Sequence, residues 1–221
     1  MSMSVTADIQ TPDDPNKVGH HGGHGGAAAA HSGPASKRII VGYGFWIFLL
    51  TDIVMFSAFF ASYAVLANAT AGGPTGHDLF DLPRVAIETG LLLLSSFTCG
   101  LAAIAADARK QLLTQLGLLV TGLLGVAFLV LELQEFATMI ADGAGPDRSA
   151  FLSSFFALVG CHGLHVFVGL LWLGTMMVQL MVKGFRRHIM RRMMCFNLFW
   201  HALDIIWVAL FSIVYLIGAN S

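Results

Sequence analysis

Residues Ser149 to Trp172 read SAFLSSFFALVGCHGLHVFVGLLW. The stretch is apolar enough to lie in a bilayer, yet it carries His162 and His165 three positions apart, with Gly160, Gly163 and Gly169 around them. Residues three apart share a face of an α-helix, so both imidazoles point the same way, and the glycines let a neighbouring helix come close. Polar side chains at such depth face protein and not lipid. The rest of the chain reads as the material that surrounds that face.

The 221 residues are 56% hydrophobic and 11% charged, and the apolar residues are gathered into long runs. That pattern predicts an all-α polytopic membrane protein. A net charge of −1 gives no global field that would attract nucleic acid. Cys99, Cys161 and Cys195 lie in or beside apolar runs with no CxxC spacing, so a disulfide framework or zinc knot is not expected and packing roles are.

Residues 1–42 read as a disordered cytoplasmic tail rich in Gly, Ala and His, with His20, His21, His24 and His31. Such a segment buries too little apolar surface to fold alone. Metal capture by its imidazoles is the alternative to a plain tether, but no rigid spacing fixes the ligands. The apolar core and cleavage site of a secretory signal are not seen in the first thirty residues.

Residues 43–218 form the predicted membrane domain, a bundle of five spans at about 43–67, 85–106, 112–140, 151–182 and 194–217. Each meets the roughly 20 residues that a helix needs to cross a bilayer. The basic residues set orientation. Lys17, Lys37, Arg38, Arg109, Lys110, Lys183, Arg186, Arg187, Arg191 and Arg192 fall on one side, and only Arg84 and Arg148 on the other. This bias predicts a cytoplasmic N-terminus and a periplasmic C-terminus. The outer connections, AGGPTGHDLFD (Ala71 to Asp81) and ADGAGPD (Ala141 to Asp147), are short and rich in turn residues, which leaves no room for an extramembrane catalytic domain.

Eight ionisable residues fall inside these spans, and a charge at bilayer depth costs several kcal/mol, so each needs a partner or a role. Helical rise of about 1.5 Å per residue sorts them by depth. Asp52, His162, His165, His201 and Asp204 lie near the middle or towards the cytoplasm, where they can meet as an intramembrane polar seam. Glu88, Glu132 and Glu135 form an outer polar group. Three readings compete: a seam that fixes helix register and partner contacts, a proton path, and a metal centre in a stand-alone membrane enzyme. The metal reading is weakened because the pairs are HxxH, HxxD and ExxE at different depths. The proton-coupled carrier lacks broken helices and an inverted repeat. The seam is the expected role, with Gly160, Gly163 and Gly169 as helix-contact glycines.

With these residues in view, the chain resembles subunit III of the haem-copper oxidases, on the branch of the bacterial cytochrome bo-type ubiquinol oxidases. The resemblance spans about Gly44 to Gly218. It is carried by GFWIFLLTD (Gly44 to Asp52), NATAGGPTGHDLFDLP (Asn68 to Pro83), GPDRSAFLSSFFALVGCHGLHV (Gly145 to Val166) and FWHALDIIWVALFSIVYLIG (Phe199 to Gly218). Asp52 and Glu135 fall where many relatives carry glutamates. The chain has five spans where larger members have seven, so the lipid-filled cleft of those members is not transferred. The resemblance implies a non-catalytic subunit of a proton-pumping respiratory complex in the bacterial inner membrane. It implies subunit I as main contact, with subunit II and a small subunit IV beside it. No haem, copper or quinone is expected on this chain; haem and copper belong to subunit I, ubiquinol to the complex, and a structural phospholipid is the expected small-molecule companion.

Overall fold

A computed structural model describes residues 37–67, 69–70 and 82–217. The four tail histidines and most of the first outer loop lie outside the described residues. Five helices follow in order: α1 (Lys37–Leu66), α2 (Leu82–Asp107), α3 (Gln111–Ala141), α4 (Ala150–Lys183) and α5 (Arg187–Leu210), the last running into a π-helical segment, Phe211–Ile217. Each is long and apolar enough to cross a membrane, and no strand occurs among the described residues. The all-α, five-span architecture predicted from the apolar runs is the one observed.

Helix ends run past the apolar runs. Residues 37–42, assigned to the tail from sequence, are the first turns of α1, and α5 starts at Arg187 instead of Met194. The reason is physical. Hydropathy marks where the bilayer begins, whereas the backbone ladder continues into water through good helix formers such as Arg187, Arg191 and Arg192. Stops are local: Gly184 takes φ +62° to close α4, and Ser149 caps its start by accepting from the Leu152 amide at 3.2 Å.

Helices α2 and α3 form a tight hairpin, joined through residues 108–110. A Cβ built on Gly117 would sit 2.8 Å from the Ala102 Cβ and 3.2 Å from its Cα, so the two backbones meet where a side chain cannot fit. Hydroxyls bond the same interface: Thr98 Oγ1 and Thr121 Oγ1 are 2.9 Å apart, and Ser95 Oγ donates to the Thr121 carbonyl at 3.3 Å. Helix α4 packs on α1, α3 and α5, while α5 packs on α1, α2 and α4. The buried core between them holds Phe56, Phe128, Phe155, Trp200, Trp207 and Tyr215. Only 11% of the apolar window of α1 is buried, against 44% for α5, so α1 is the peripheral helix.

The α2–α3 and α4–α5 turns lie together at one end of the bundle. Arg109 Nη1 donates to the Phe185 carbonyl at 3.0 Å with its guanidinium over the Phe185 ring, and Gln111 Nε2 donates to the Leu180 carbonyl at 3.1 Å. Most of the basic residues are thereby gathered at one end.

Gly117→Ala should lower the unfolding temperature in detergent, although alanine is the better helix former. The clash with Ala102 costs about 1–3 kcal/mol, more than the propensity gain of about 1 kcal/mol. Gly174→Ala, where an added Cβ meets nothing within 4 Å, should leave that temperature unchanged or raise it. Equal behaviour of the two variants would contradict the close α2–α3 contact.

Candidate functional site

The packing of α4 against α1 and α3 decides the surroundings of the predicted histidines. His162 is fully buried in an aromatic nest, with ring centroids 5.2 Å from Trp207, 6.0 Å from Phe128 and 6.3 Å from Phe56. Neither of its ring nitrogens makes a hydrogen bond to a described residue. His165 is only partly buried. Its Nδ1 lies 2.7 Å from the Cys161 carbonyl, and since a carbonyl can only accept, Nδ1 carries the proton. Asp52 on α1 is close enough to His165 for their charges to interact, and the Phe56 ring lies 5.3 Å from the His165 ring.

His201 and Asp204 belong to a second set. The Asp204 carboxyl lies beside the Ser96 hydroxyl of α2 and within electrostatic reach of His201. The five seam residues therefore fall into two sets, Asp52 with His162 and His165, and His201 with Asp204. No hydrogen bond among the described residues joins one set to the other.

The outer group is more compact. Glu88 and Glu132 are buried, and both lie within electrostatic reach of Glu135. Arg84 Nε stands 3.7 Å from Glu88 Oε1, and Arg84 Nη2 donates to the Leu131 carbonyl at 3.0 Å. Tyr215 lies within reach of the three acids, and Tyr63 donates to the Val214 carbonyl at 3.3 Å. Glu132 accepts no hydrogen bond from a described residue.

The three glycines of α4 differ. A Cβ on Gly169 would meet Trp200 at 3.0 Å and Phe199 at 3.2 Å, whereas Gly160 and Gly163 have ordinary neighbours at 3.5 and 3.8 Å. Gly160 and Gly163 instead line a groove of about 300 Å³ between α3 and α4, with Glu132, Phe136 and Phe167 around it. Gly125 of α3, which carries no polar marker in the sequence, approaches Trp200 as closely as Gly169 does, at 3.0 Å. The indole thus lies between two glycines. Its Nε1–H donates to Ser95 Oγ at 2.9 Å, and Trp207 Nε1–H donates to Thr89 Oγ1 at 3.0 Å. Neither hydroxyl of α2 is among the site residues expected from sequence. For Ser95 a signal is present as SSFT, Ser95 to Thr98, an unusual density of hydroxyls inside an apolar run; Thr89 stands alone beside Glu88.

The arrangement can tie helices together through hydroxyl bonds and aromatic contacts. Among the described residues, no three His, Cys, Asp or Glu side chains come together in a way that could hold a metal ion.

A family model described as cytochrome c oxidase subunit III matches residues 25–219. The cytochrome bo(3) ubiquinol oxidase subunit 3 of Pseudomonas aeruginosa is 50% identical over 208 residues, covering 93% of this chain and 94% of the relative. Its counterpart in Buchnera aphidicola subsp. Baizongia pistaciae is 45% identical, with 83% and 93% covered. The quinol oxidase subunit 3 of Bacillus subtilis is 38% identical, with 90% and 97% covered.

Ser95→Ala should lower the unfolding temperature in detergent by an amount corresponding to about 1 kcal/mol, because the Trp200 indole N–H is left without an acceptor. Ser57→Ala removes only a bond to the Ile53 carbonyl of its own helix and should change nothing. An unchanged Ser95→Ala protein would show that the indole does not depend on that hydroxyl.

Proposed function

This chain belongs to the cytochrome c oxidase subunit III family, and from that membership we propose that it is the third subunit of a ubiquinol-oxidising, proton-pumping terminal oxidase. The observation that carries the reading is 50% identity over nearly the whole of both chains to a relative named cytochrome bo(3) ubiquinol oxidase subunit 3. In this reading ubiquinol oxidation and oxygen reduction take place on the partner subunits, where subunit I carries haem and copper, and this chain passes no electron. Its role is to support the assembly, stability and proton supply of subunit I, with subunit II and a small subunit IV nearby. The complex sits in the bacterial inner membrane. The ten-to-two bias of basic residues supports an N-terminus in the cytoplasm and a C-terminus in the periplasm.

We place the contact with subunit I along α4. The outward side chains of α4 there, Leu164, Phe167, Val168 and Leu171, are exposed. They adjoin the groove that Gly160 and Gly163 leave open, with Glu132 in its lining.

Tagged chain isolated from bacterial membranes in mild detergent should bring with it a haem-bearing quinol oxidase, while the chain freed of its neighbours should show no haem absorbance and no stoichiometric metal. Gly163→Leu, which fills the groove, should weaken that co-purification at least several-fold with the chain still inserted in the membrane. Recovery of the chain alone with bound metal, or of a fully active oxidase particle that never contains it, would overturn the proposal.

A further inference from the structure

Not every polar group in the span of α5 is turned inward. His201 and Asp204 are both partly exposed at the surface of the bundle, and Ile205 beside them, 71% exposed, marks this as an outer face. We propose that a transmembrane helix of a partner subunit docks on this α2–α5 face and presents a carboxamide side chain, Asn or Gln, to His201 and Asp204. The inference rests on the reading that the chain is one subunit of a complex. It goes beyond that reading by adding a second contact surface, apart from the α3–α4 groove, and by defining the chemistry of what covers it.

Depth is the first reason. Nine positions, about 14 Å of helical rise, separate His201 from Arg192, the preceding arginine of α5. An imidazole cannot span that distance to reach headgroups, so at its exposed edge it meets either hydrocarbon or protein. Hydrocarbon offers no hydrogen bond, and polar groups at such depth are placed against protein. The second reason is that the bundle leaves the imidazole unsatisfied. No described residue hydrogen-bonds the His201 ring, and the polar neighbours of Asp204 are Ser96 and His201. A neutral imidazole has one donor and one acceptor, and the carboxyl beside it adds acceptors. A carboxamide brings two N–H donors and a carbonyl, so a single side chain can serve both residues. Lysine and arginine have no acceptor for the imidazole N–H, and a hydroxyl has only one proton to give. The third reason is room on α2. Cys99 Sγ donates to Asn197 Oδ1 at 3.4 Å and Ser96 lies beside Asp204, so the register sets Gly100 at about the height of His201. Gly100 is partly exposed, and a Cβ built on it meets nothing within 4 Å. That recess lets another backbone come within reach of the imidazole. The face is bounded by α2 and α5, whereas the groove assigned to subunit I lies between α3 and α4.

The test uses the full chain in its native membrane. The photoreactive residue p-benzoylphenylalanine is placed at Ile205, the membrane is irradiated, and cross-linked peptides are identified by mass spectrometry. The expected product joins Ile205 to a transmembrane segment of another subunit, with an Asn or Gln within one helical turn of the linked residue. The same probe at Leu123, an exposed position of α3, should not yield that peptide. His201→Leu should lower the yield of the product roughly threefold or more. Gly100→Phe, which fills the recess and touches neither polar residue, should lower it as well, so the proposal can still be decided if His201→Leu does not insert. Cross-links to lipid alone, to a second copy of this chain, or to a segment with no carboxamide near the site would each overturn it, as would an unchanged yield in Gly100→Phe. Where the expected cross-link is missing but the haem-bearing oxidase still co-purifies, this inference fails and the subunit assignment stands.

Discussion

An indole N–H placed in hydrocarbon must find an acceptor within the protein, and in this bundle that requirement fixes how the central helices meet. Trp200 donates to Ser95 of α2, while its ring lies against Gly125 of α3 and Gly169 of α4. One side chain of α5 thus touches α2, α3 and α4 at once. Trp207, two turns on, repeats the bond through Thr89. Together the two bonds set the depth and rotation of α5 on α2, since neither can form if the helix slides or turns. That rotation places Asp204 beside Ser96 and turns the Trp207 ring towards His162. The polar residues singled out by their cost in a membrane are therefore held in place by aromatic residues and hydroxyls.

Sequence alone reveals the number and type of the helices, because five apolar runs separated by basic or Gly-rich connections have few other readings. Helical rise groups Glu88, Glu132 and Glu135, and these three lie within electrostatic reach of one another. What it cannot supply is azimuth between helices. Depth arithmetic permits Asp52, His162, His165, His201 and Asp204 to meet, yet Asp52 is set near His165 of α4 and Asp204 beside Ser96 of α2, and the five fall into two sets. The glycines show the same limit. Gly160 and Gly163 attract notice beside the histidines, but the tightest backbone approach is at Gly117, in a stretch, LLTQLGLLVT, that carries no ionisable residue. Helix ends are hidden for another reason, since hydropathy follows the bilayer boundary and the backbone hydrogen bonds do not stop there.

The two ends of the bundle differ in chemistry. One gathers three carboxyls, a single nearby guanidinium and two tyrosines. The other gathers arginines around an apolar cavity. Between them the interior is dominated by aromatic packing, with His162 among the rings. The middle holds the bundle together, and the two ends differ in charge. On the proposed reading, electron transfer is left to the partner subunits, and the histidines of α4 and α5 serve as packing groups.

The most direct measurement of that account replaces His162, His165 and His201 together by Gln in the complete oxidase and records haem content and quinol turnover per assembled particle. The account expects fewer assembled particles, each with full haem content and unchanged turnover. Particles that assemble normally with full haem but have lost turnover would contradict it, because these imidazoles would then take part in the chemistry.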